Sequence, residues 1–334
     1  MQDLEVYQCV VCRSGSLVAE PGSDFAERLK CAHCGARYPI QHNILDTLIQ
    51  PLPDAVRELQ GMAVEAGIAP ELWQSVRVRQ VESIATFTAR LQISESDTIQ
   101  YYQQTQAHFE QALRGLGDLR LRRVLEVGSE TDYFFLQYFR ERGATCHAIN
   151  LFFQYMEPDP YLDWPEKALA DMNRLPFQAG AFDLVLFSAT LHHSSDLEQT
   201  MREVERVLKP GGVALILSEQ IGGWLKSSSR YHHRNDLIHE TYHSFWKFHT
   251  GFVRAGFEPR YLFSQYFAEK LSNADINPNR RFARLGKTVA GLWKLPGFQA
   301  LAHGPLLYPA HLLFGFPLNA ILRKPLLQQG QGAS

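Results

Sequence analysis

Arg123-Val124-Leu125-Glu126-Val127-Gly128 reads as a short buried strand that runs into a glycine turn. Residues 133–141 then carry helical spacing, Gly143 caps them, and Thr145-Cys146-His147-Ala148-Ile149-Asn150 is a second strand. That succession is a β-α-β unit. Downstream, Ala170-Asp171-Met172 ends a third strand, and Ala181-Phe182-Asp183-Leu184-Val185-Leu186-Phe187-Ser188 is a fourth. A helix over 197–208 puts Leu197, Met201, Val204, Val207 and Leu208 on one face. Lys209-Pro210-Gly211-Gly212 breaks it, and Val213 to Ser218 is a fifth strand. Phe248 to Ala255 reads as a helix stopped at Gly256-Phe257, and Arg260-Tyr261-Leu262-Phe263 as a sixth strand. Strands that alternate with helices form a mostly parallel, doubly wound α/β sheet.

The run Asp171...Leu175-Pro176-Phe177...Phe182-Asp183-Leu184-Val185...Leu191-His192-His193...Arg206-Val207-Leu208-Lys209-Pro210-Gly211-Gly212 closely resembles class I methyltransferases, over about residues 120–265. The resemblance implies a seven-stranded sheet, S-adenosylmethionine as cofactor, and an antiparallel last strand, for which Asn319-Ala320-Ile321-Leu322-Arg323-Lys324-Pro325 is the candidate. In such sheets the ligand lies beyond the carboxyl ends of the strands, where strand order reverses. Gly128 ends the first strand, where backbone must approach the cofactor. Asn150 and Leu151 end the second, within reach of ribose hydroxyls. Asp171 and Met172 end the third, an acid for the adenine amine and an apolar group for its face. Ser188 to His193 follow the fourth, facing cofactor and substrate together.

The glycine loop departs from the family pattern E-x-G-x-G-x-G. Here it is Glu126-Val127-Gly128-Ser129-Glu130-Thr131-Asp132, with acidic residues at two glycine positions. Glu126, Gly128, Ser129 and Glu130 are the cofactor-binding candidates of this loop. Carboxylates there repel a methionine carboxylate and attract its ammonium. Asn150 stands where the family usually has an acid, so its bond to a hydroxyl lacks charge assistance.

Methyl transfer needs donor and acceptor held in line and shielded from water. A hydroxyl acceptor also needs a base. His192 and His193 are the catalytic candidates, because they follow the fourth strand and titrate near neutral pH. Packing or capping of the next helix is the competing role. His232, His233, His239 and His243, with Tyr231 and Tyr242, form a second cluster in a candidate substrate loop over 221–245. Their irregular spacing argues against a metal site there.

Four of the five cysteines form two C-x-x-C pairs, Cys9 with Cys12 and Cys31 with Cys34. Two such knuckles separated by residues 13–30 read as a closed, tetrahedral zinc site. Two disulfides are the competing reading. Cys146 stands alone in an apolar context and reads as a buried small residue. Leu29-Lys30-Cys31-Ala32-His33-Cys34-Gly35-Ala36-Arg37-Tyr38-Pro39-Ile40, with Asn43-Ile44-Leu45, resembles the small zinc ribbons that bind and activate methyltransferases. A segment this short buries little core, so the metal would supply much of its folding energy.

The expected organisation is a zinc ribbon over 1–50 and a helical linker over 51–120. The methyltransferase-like domain takes 121–267 and 316–327. A pocket-covering helical insertion takes 268–315, and the tail 328–334 is disordered. The linker reads as a packing layer or as a lid. Arg280, Arg281, Arg284 and Lys287, followed by an apolar run, make peripheral membrane contact through 280–316 the alternative role of the insertion. The net charge of -2 argues against a protein held on nucleic acid by phosphate neutralisation. Met1 to Val10 has Asp3, Glu5 and no apolar run, so a cytoplasmic protein is expected. The leading expectation is a methyltransferase acting on an O or N nucleophile of a small molecule or a glycan or natural-product intermediate. The competing expectations are an RNA or protein methyltransferase guided by the ribbon, and a methyltransferase-fold protein with a non-catalytic pocket.

Overall fold

The computed structural model describes residues 3–20, 28–41, 43–65, 67–76, 95–116, 122–129, 133–152, 164–222, 229–230, 237–238, 240–263, 288, 291–292, 294–306, 308 and 317–326. Four short strands come first: β1 (Leu17–Ala19), β2 (Arg28–Cys31), β3 (Arg37–Gln41) and β4 (Ile44–Asp46). Helices α1 (Pro53–Glu65), α2 (Trp73–Val76) and α3 (Glu95–Leu116) follow. The alternating region is β5 (Arg123–Val127), α4 (Phe134–Arg140), β6 (Thr145–Asn150), β7 (Glu166–Leu169), β8 (Phe182–Ser188), α5 (Leu197–Val207) and β9 (Leu208–Glu219). It is completed by a small hairpin of β10 (Ser229–Arg230) and β11 (Thr241–Tyr242), then α6 (Phe245–Arg254), β12 (Glu258–Tyr261), α7 (Pro296–Ala302) and β13 (Leu318–Arg323).

The strands of one sheet run in the order β1-β2-β3-β4-β7-β6-β5-β8-β9-β13-β12. From β7 to β9 the neighbours are parallel, with Val124 opposite Cys146 on one side of β5 and Leu184 on the other. β13 lies antiparallel between β9 and β12. The chain winds outward from β5 through β6 to β7, then returns to β8. That reversal makes the switch point between β5 and β8, where carboxyl ends splay and leave a crevice. This is the α/β class that the sequence pattern implies.

The expected seven strands are β7-β6-β5-β8-β9-β13-β12, but the sheet has eleven. The added four belong to the N-terminal segment. β4 pairs in parallel with β7, Ile44 opposite Lys167, Leu45 opposite Ala168 and Asp46 opposite Leu169. An unpaired edge strand exposes a ladder of N–H and C=O groups, and the N-terminal segment satisfies it.

Alternating faces of the sheet feed two cores. One takes Leu197, Met201 and Val204 of α5 and Phe245, Phe248 and Phe252 of α6, together with Tyr7, Leu17 and Tyr38 of the N-terminal segment. The other takes Phe109 and Ala112 of α3, Phe135, Leu136 and Phe139 of α4, and Leu59 of α1. Tyr7 is fully buried and its ring lies 5.1 Å from that of Phe177. Burial of such a ring contributes about 2–3 kcal/mol, from which the buried Tyr7 hydroxyl, without a hydrogen-bond partner among the described residues, subtracts about 1–3 kcal/mol. Thus the N-terminal segment and the α/β region share one core.

Element boundaries moved where capping decided them. α6 begins at Phe245, three residues before the expected Phe248, because Ser244 accepts the amide of Lys247 at 3.2 Å as its N-cap. α5 ends at Val207, since Leu208 is already extended. β9 therefore starts at Leu208 and absorbs Lys209 to Gly212 through a register shift opposite Phe182 and Leu184. The sixth strand spans Glu258–Tyr261 and not 260–263; its pairing with β13 ends at Tyr261 opposite Ala320. Among the described residues no helix is long and apolar enough to cross a membrane.

Candidate functional site

The sequence-predicted cofactor and catalytic residues that the structure describes lie at or beside the carboxyl ends of β5 to β8. Gly128 follows β5 with φ +74°, and a Cβ there would stand 2.1 Å from Thr190 Cγ2. Only glycine fits both the conformation and the space. Its amide and that of Ser129 donate to Ile149 O at 2.9 and 3.1 Å, which pins the loop to β6. Ser129 is fully buried and donates to Glu126 Oε2 at 3.0 Å. Asn150 was expected to reach ribose. Its Nδ2 donates to Ser129 O at 2.9 Å and its Oδ1 accepts from Phe152 N at 3.0 Å, so the amide ties the two loops together. Leu151 and Met172 pack at the borders of the two cores. Ser188 ends β8, and its carbonyl accepts from Thr190 Oγ1 at 2.8 Å. Glu130 and Asp132 lie outside the described residues.

Asp171 follows β7 and is buried. Its Oδ1 accepts from Asn173 N at 2.8 Å and Asn173 Nδ2 at 2.9 Å. Its Oδ2 is buried with no hydrogen-bond partner among the described residues. Burial raises the carboxyl above its ordinary 3.8, and the bonds from Asn173 offset this only in part. An orphaned carboxylate oxygen at the end of the third parallel strand suits an amine donor from a ligand, and the amino group of adenine is one. Thr200 Oγ1 donates to Asn173 Oδ1 at 2.9 Å and lies 2.7 Å from Ser194 Oγ, which links this carboxylate to the turn after β8.

That turn, Leu191–His193, is a single 3-10 turn. Glu219, the last residue of β9 and fully buried, accepts from Leu191 N (2.8 Å), His192 N (3.1 Å) and His192 Nδ1 (2.7 Å). An ionised carboxylate only accepts, so this contact calls for the proton on Nδ1. The His193 ring lies 4.3 Å from that of His192, and its Nδ1 is 3.4 Å from Glu58 Oε1. Burial alone would lower the His193 imidazole. The bond to Glu58 and the charges of Glu58, Glu240 and Glu219 outweigh it, so the imidazole is raised above 6.5.

The three glutamates were absent from the sequence reading. Glu58 had a visible signal: it is the one charged residue on the buried face of α1 formed by Ala55, Leu59, Met62 and Ala63. Glu219 had another, as a polar residue at the carboxyl end of a parallel strand. Of the second histidine cluster, His232, His233 and His239 lie outside the described residues, and His243 is buried against Phe248 at 5.4 Å. The basic residues 280–287 and the tail also lie outside them.

At the far edge of the sheet, Cys9 Sγ is 3.6 Å from Cys34 Sγ, and Cys12 Sγ is 3.6 Å from Cys31 Sγ. All four sulfurs lie within 4.8 Å of one another. A disulfide needs about 2.05 Å, so the competing disulfide reading does not hold. A tetrahedral Zn–S bond of about 2.3 Å puts sulfurs roughly 3.8 Å apart. The cluster fits that ion. Tyr38 Oη donates to Cys9 Sγ at 2.9 Å, and the amides of His33 and Cys34 donate to Cys31 Sγ at 3.3 and 3.4 Å. Such donors stabilise thiolates. Cys146 is apart from all this; burial pushes its thiol up to about 12.

Residues 125–216 match a family model described as a methyltransferase domain. The chain is 36% identical over 101 residues to malonyl-[acyl-carrier protein] O-methyltransferase of Methylovorus sp. (strain MP688), covering 29% of this chain and 33% of that protein. It is 31% identical over 103 residues to 2-phytyl-1,4-naphtoquinone methyltransferase of Trichormus variabilis, covering 31% of this chain and 42% of that protein. The chain thus spans well under half the length of these curated relatives. Among solved structures, an S-adenosylmethionine dependent methyltransferase from Mesorhizobium loti aligns with a TM-score of 0.41 at 17% identity, over 64% of this chain and 96% of that one.

Proposed function

Because this chain carries a class I methyltransferase domain, we propose that it transfers a methyl group from S-adenosylmethionine to an oxygen or nitrogen of a small molecule. The observation that carries the reading is the orphaned Oδ2 of Asp171, a buried acceptor at the end of β7. The donor supplies a methyl group made electrophilic by its sulfonium. Asp171 accepts the amine of the donor's base, and Gly128 leaves bare backbone at the end of β5. The acceptor is activated at the His192–His193 pair, whose rings Glu219 and Glu58 hold in place. The names of the two relatives, a malonyl-[acyl-carrier protein] O-methyltransferase and a 2-phytyl-1,4-naphtoquinone methyltransferase, are in keeping with a small acceptor group, carried on a protein in the first and free in the second. The four-cysteine cluster holds one Zn²⁺, which folds the N-terminal segment into an edge of the sheet.

Calorimetric titration of the whole chain with S-adenosylmethionine tests the donor site. Saturable heat with a Kd at or below about 100 μM supports it, within the ordinary range for small ligands. No heat up to about 1 mM overturns it.

A further inference from the structure

The turn after β8 holds more than a candidate base. His192, His193 and Glu240 each bring a ligand atom within 4.8 Å of the others. We propose that they bind a divalent first-row transition-metal ion, distinct from the ion of the cysteine cluster, and that this ion activates the methyl acceptor. What the ion does rests on the methyltransferase reading; the site itself is read from these side chains.

The donor set is two imidazoles and one carboxylate. That set suits zinc, manganese and iron in their divalent states, and it leaves coordination positions open for an exogenous oxygen. Each imidazole already has the support that metal-bound histidines have. His192 Nδ1 is 2.7 Å from Glu219 Oε1, and His193 Nδ1 is 3.4 Å from Glu58 Oε1. A carboxylate on Nδ1 fixes the ring and directs Nε2 to the metal. The two rings lie 4.3 Å apart and tilted by 37°. Glu58, Glu219 and Glu240 put three carboxylates around the two rings, a field that favours a cation.

Ligand atoms tetrahedrally placed around such an ion lie about 3.3–3.6 Å apart, given metal–ligand bonds of about 2.0–2.2 Å. Glu240 is partly exposed and immediately precedes the short strand β11, and a contraction of the three ligand atoms from within 4.8 Å of one another completes the site. Tyr242, on the same strand, already stands edge-on to His192 at 5.6 Å. The ion then takes the acceptor hydroxyl as a further ligand. The O–H bond breaks, its electron pair stays on the metal-held oxygen, and the proton goes to water. That oxygen's pair forms the new O–C bond as the methyl carbon leaves sulfur, and the C–S pair stays on sulfur. On this account the two histidines are ligands and not bases.

The test is a titration of the full-length, zinc-loaded protein with MnCl2, without S-adenosylmethionine, followed by the electron paramagnetic resonance signal of free Mn(II). Zinc fills the cysteine cluster beforehand. The expected result is saturable uptake of about one Mn(II) per chain. It is lost in the His192→Ala/His193→Ala double variant and weakened roughly ten-fold or more by Glu58→Gln, which removes only the support. Glu240→Gln, at a partly exposed position, gives the same loss in a chain that keeps its fold. No saturable uptake overturns the proposal, and so does uptake that these variants leave unchanged. Either result leaves the donor-binding calorimetry standing, since donor and metal are measured apart.

Discussion

Glu219 Oε1 lies 2.7 Å from His192 Nδ1, and the same carboxylate accepts the amides of Leu191 and His192. One buried group thus holds both the backbone of the turn and the orientation of the imidazole. Glu219→Gln keeps the shape but turns one acceptor oxygen into a donor facing amide N–H groups. The expected cost is about 2 kcal/mol of stability, the penalty for unsatisfied buried donors. The variant should also lose the single Nδ1–H tautomer in the ¹⁵N spectrum of His192. An unchanged tautomer with unchanged stability would refute the anchoring role.

Asp171 sets function against stability. Its folded-state carboxyl is raised, first by burial, so its charge costs stability once the pH exceeds its ordinary 3.8. A raised carboxyl stabilises the fold relatively more below that pH, and this contribution is lost as pH rises through the folded value. Asp171→Asn removes the charge while its oxygen can still accept from Asn173. At pH 7 the variant should be more stable than the parent, and the gain should vanish below the ordinary carboxyl value of 3.8. Its affinity for S-adenosylmethionine should fall roughly ten-fold, the value of a hydrogen bond to a charged group. Urea denaturation at several pH values and calorimetry read the two effects.

The order of strands was legible because each buried parallel strand is an apolar run closed by a turn, as in Phe182–Ser188. The ends of those strands then located Gly128, Asp171 and His192. Glu58 was visible only as a charge on the apolar face of α1, and Glu240 not at all, because both reach the site from segments distant in sequence, and no local pattern records a contact between α1 and the turn after β8. The paired cysteines announced a cluster of four sulfurs, but not that Ile44–Asp46 would extend the sheet. That pairing depends on an open edge at β7, which is a property of the fold and not of any one stretch. The position of Asn150 at a strand end is visible in the same way, and its bonds to Ser129 and Phe152 are not.

Arg13 of the cysteine segment lies 2.5 Å from Glu203 of α5, which Arg206 also holds at 2.8 Å. Burial alone would raise the Glu203 carboxyl; the guanidinium groups of Arg206 and Arg13 outweigh it and hold it below its ordinary 4.5. A depressed carboxyl stabilises the fold above its unfolded value, and this is lost as pH falls through the folded value. Glu203→Gln should therefore cost about 3 kcal/mol at pH 7, the order expected when one partner of a buried pair is removed. The difference from the parent should shrink steadily as the pH drops below about 4.5. Thermal melts across that range check it, and a pH-independent difference would count against the charge pair.

Metal removal should act on the whole sheet. Cys9 and Cys31 belong to the same core as Phe177 and Phe182, and β4 is hydrogen-bonded to β7. Stripping the cysteine cluster with a chelator should lower the midpoint of a single transition by several degrees or more, because the metal's binding energy is folding energy. A melt in which the α/β region keeps its midpoint would show that the segment folds apart from it.

Gly128 tests the loop that departs most from the class I methyltransferase pattern. The residue has φ +74°, and its Cβ position is 2.1 Å from Thr190 Cγ2. Gly128→Ala meets two separate costs. A left-handed alanine costs about 1 kcal/mol, and the clash adds roughly 1–3 kcal/mol, as in overpacked cores. Thr190→Gly removes the colliding side chain but not the backbone strain. The double variant should therefore recover the larger share of the lost stability and leave about 1 kcal/mol unrecovered. Because Thr190 immediately precedes the Leu191–His193 turn, the single variant should also disturb the His192 signals, and the double variant should restore them. Additive losses in the double variant would show that Gly128 is required for its conformation alone, and that Thr190 does not couple the donor loop to the histidine turn.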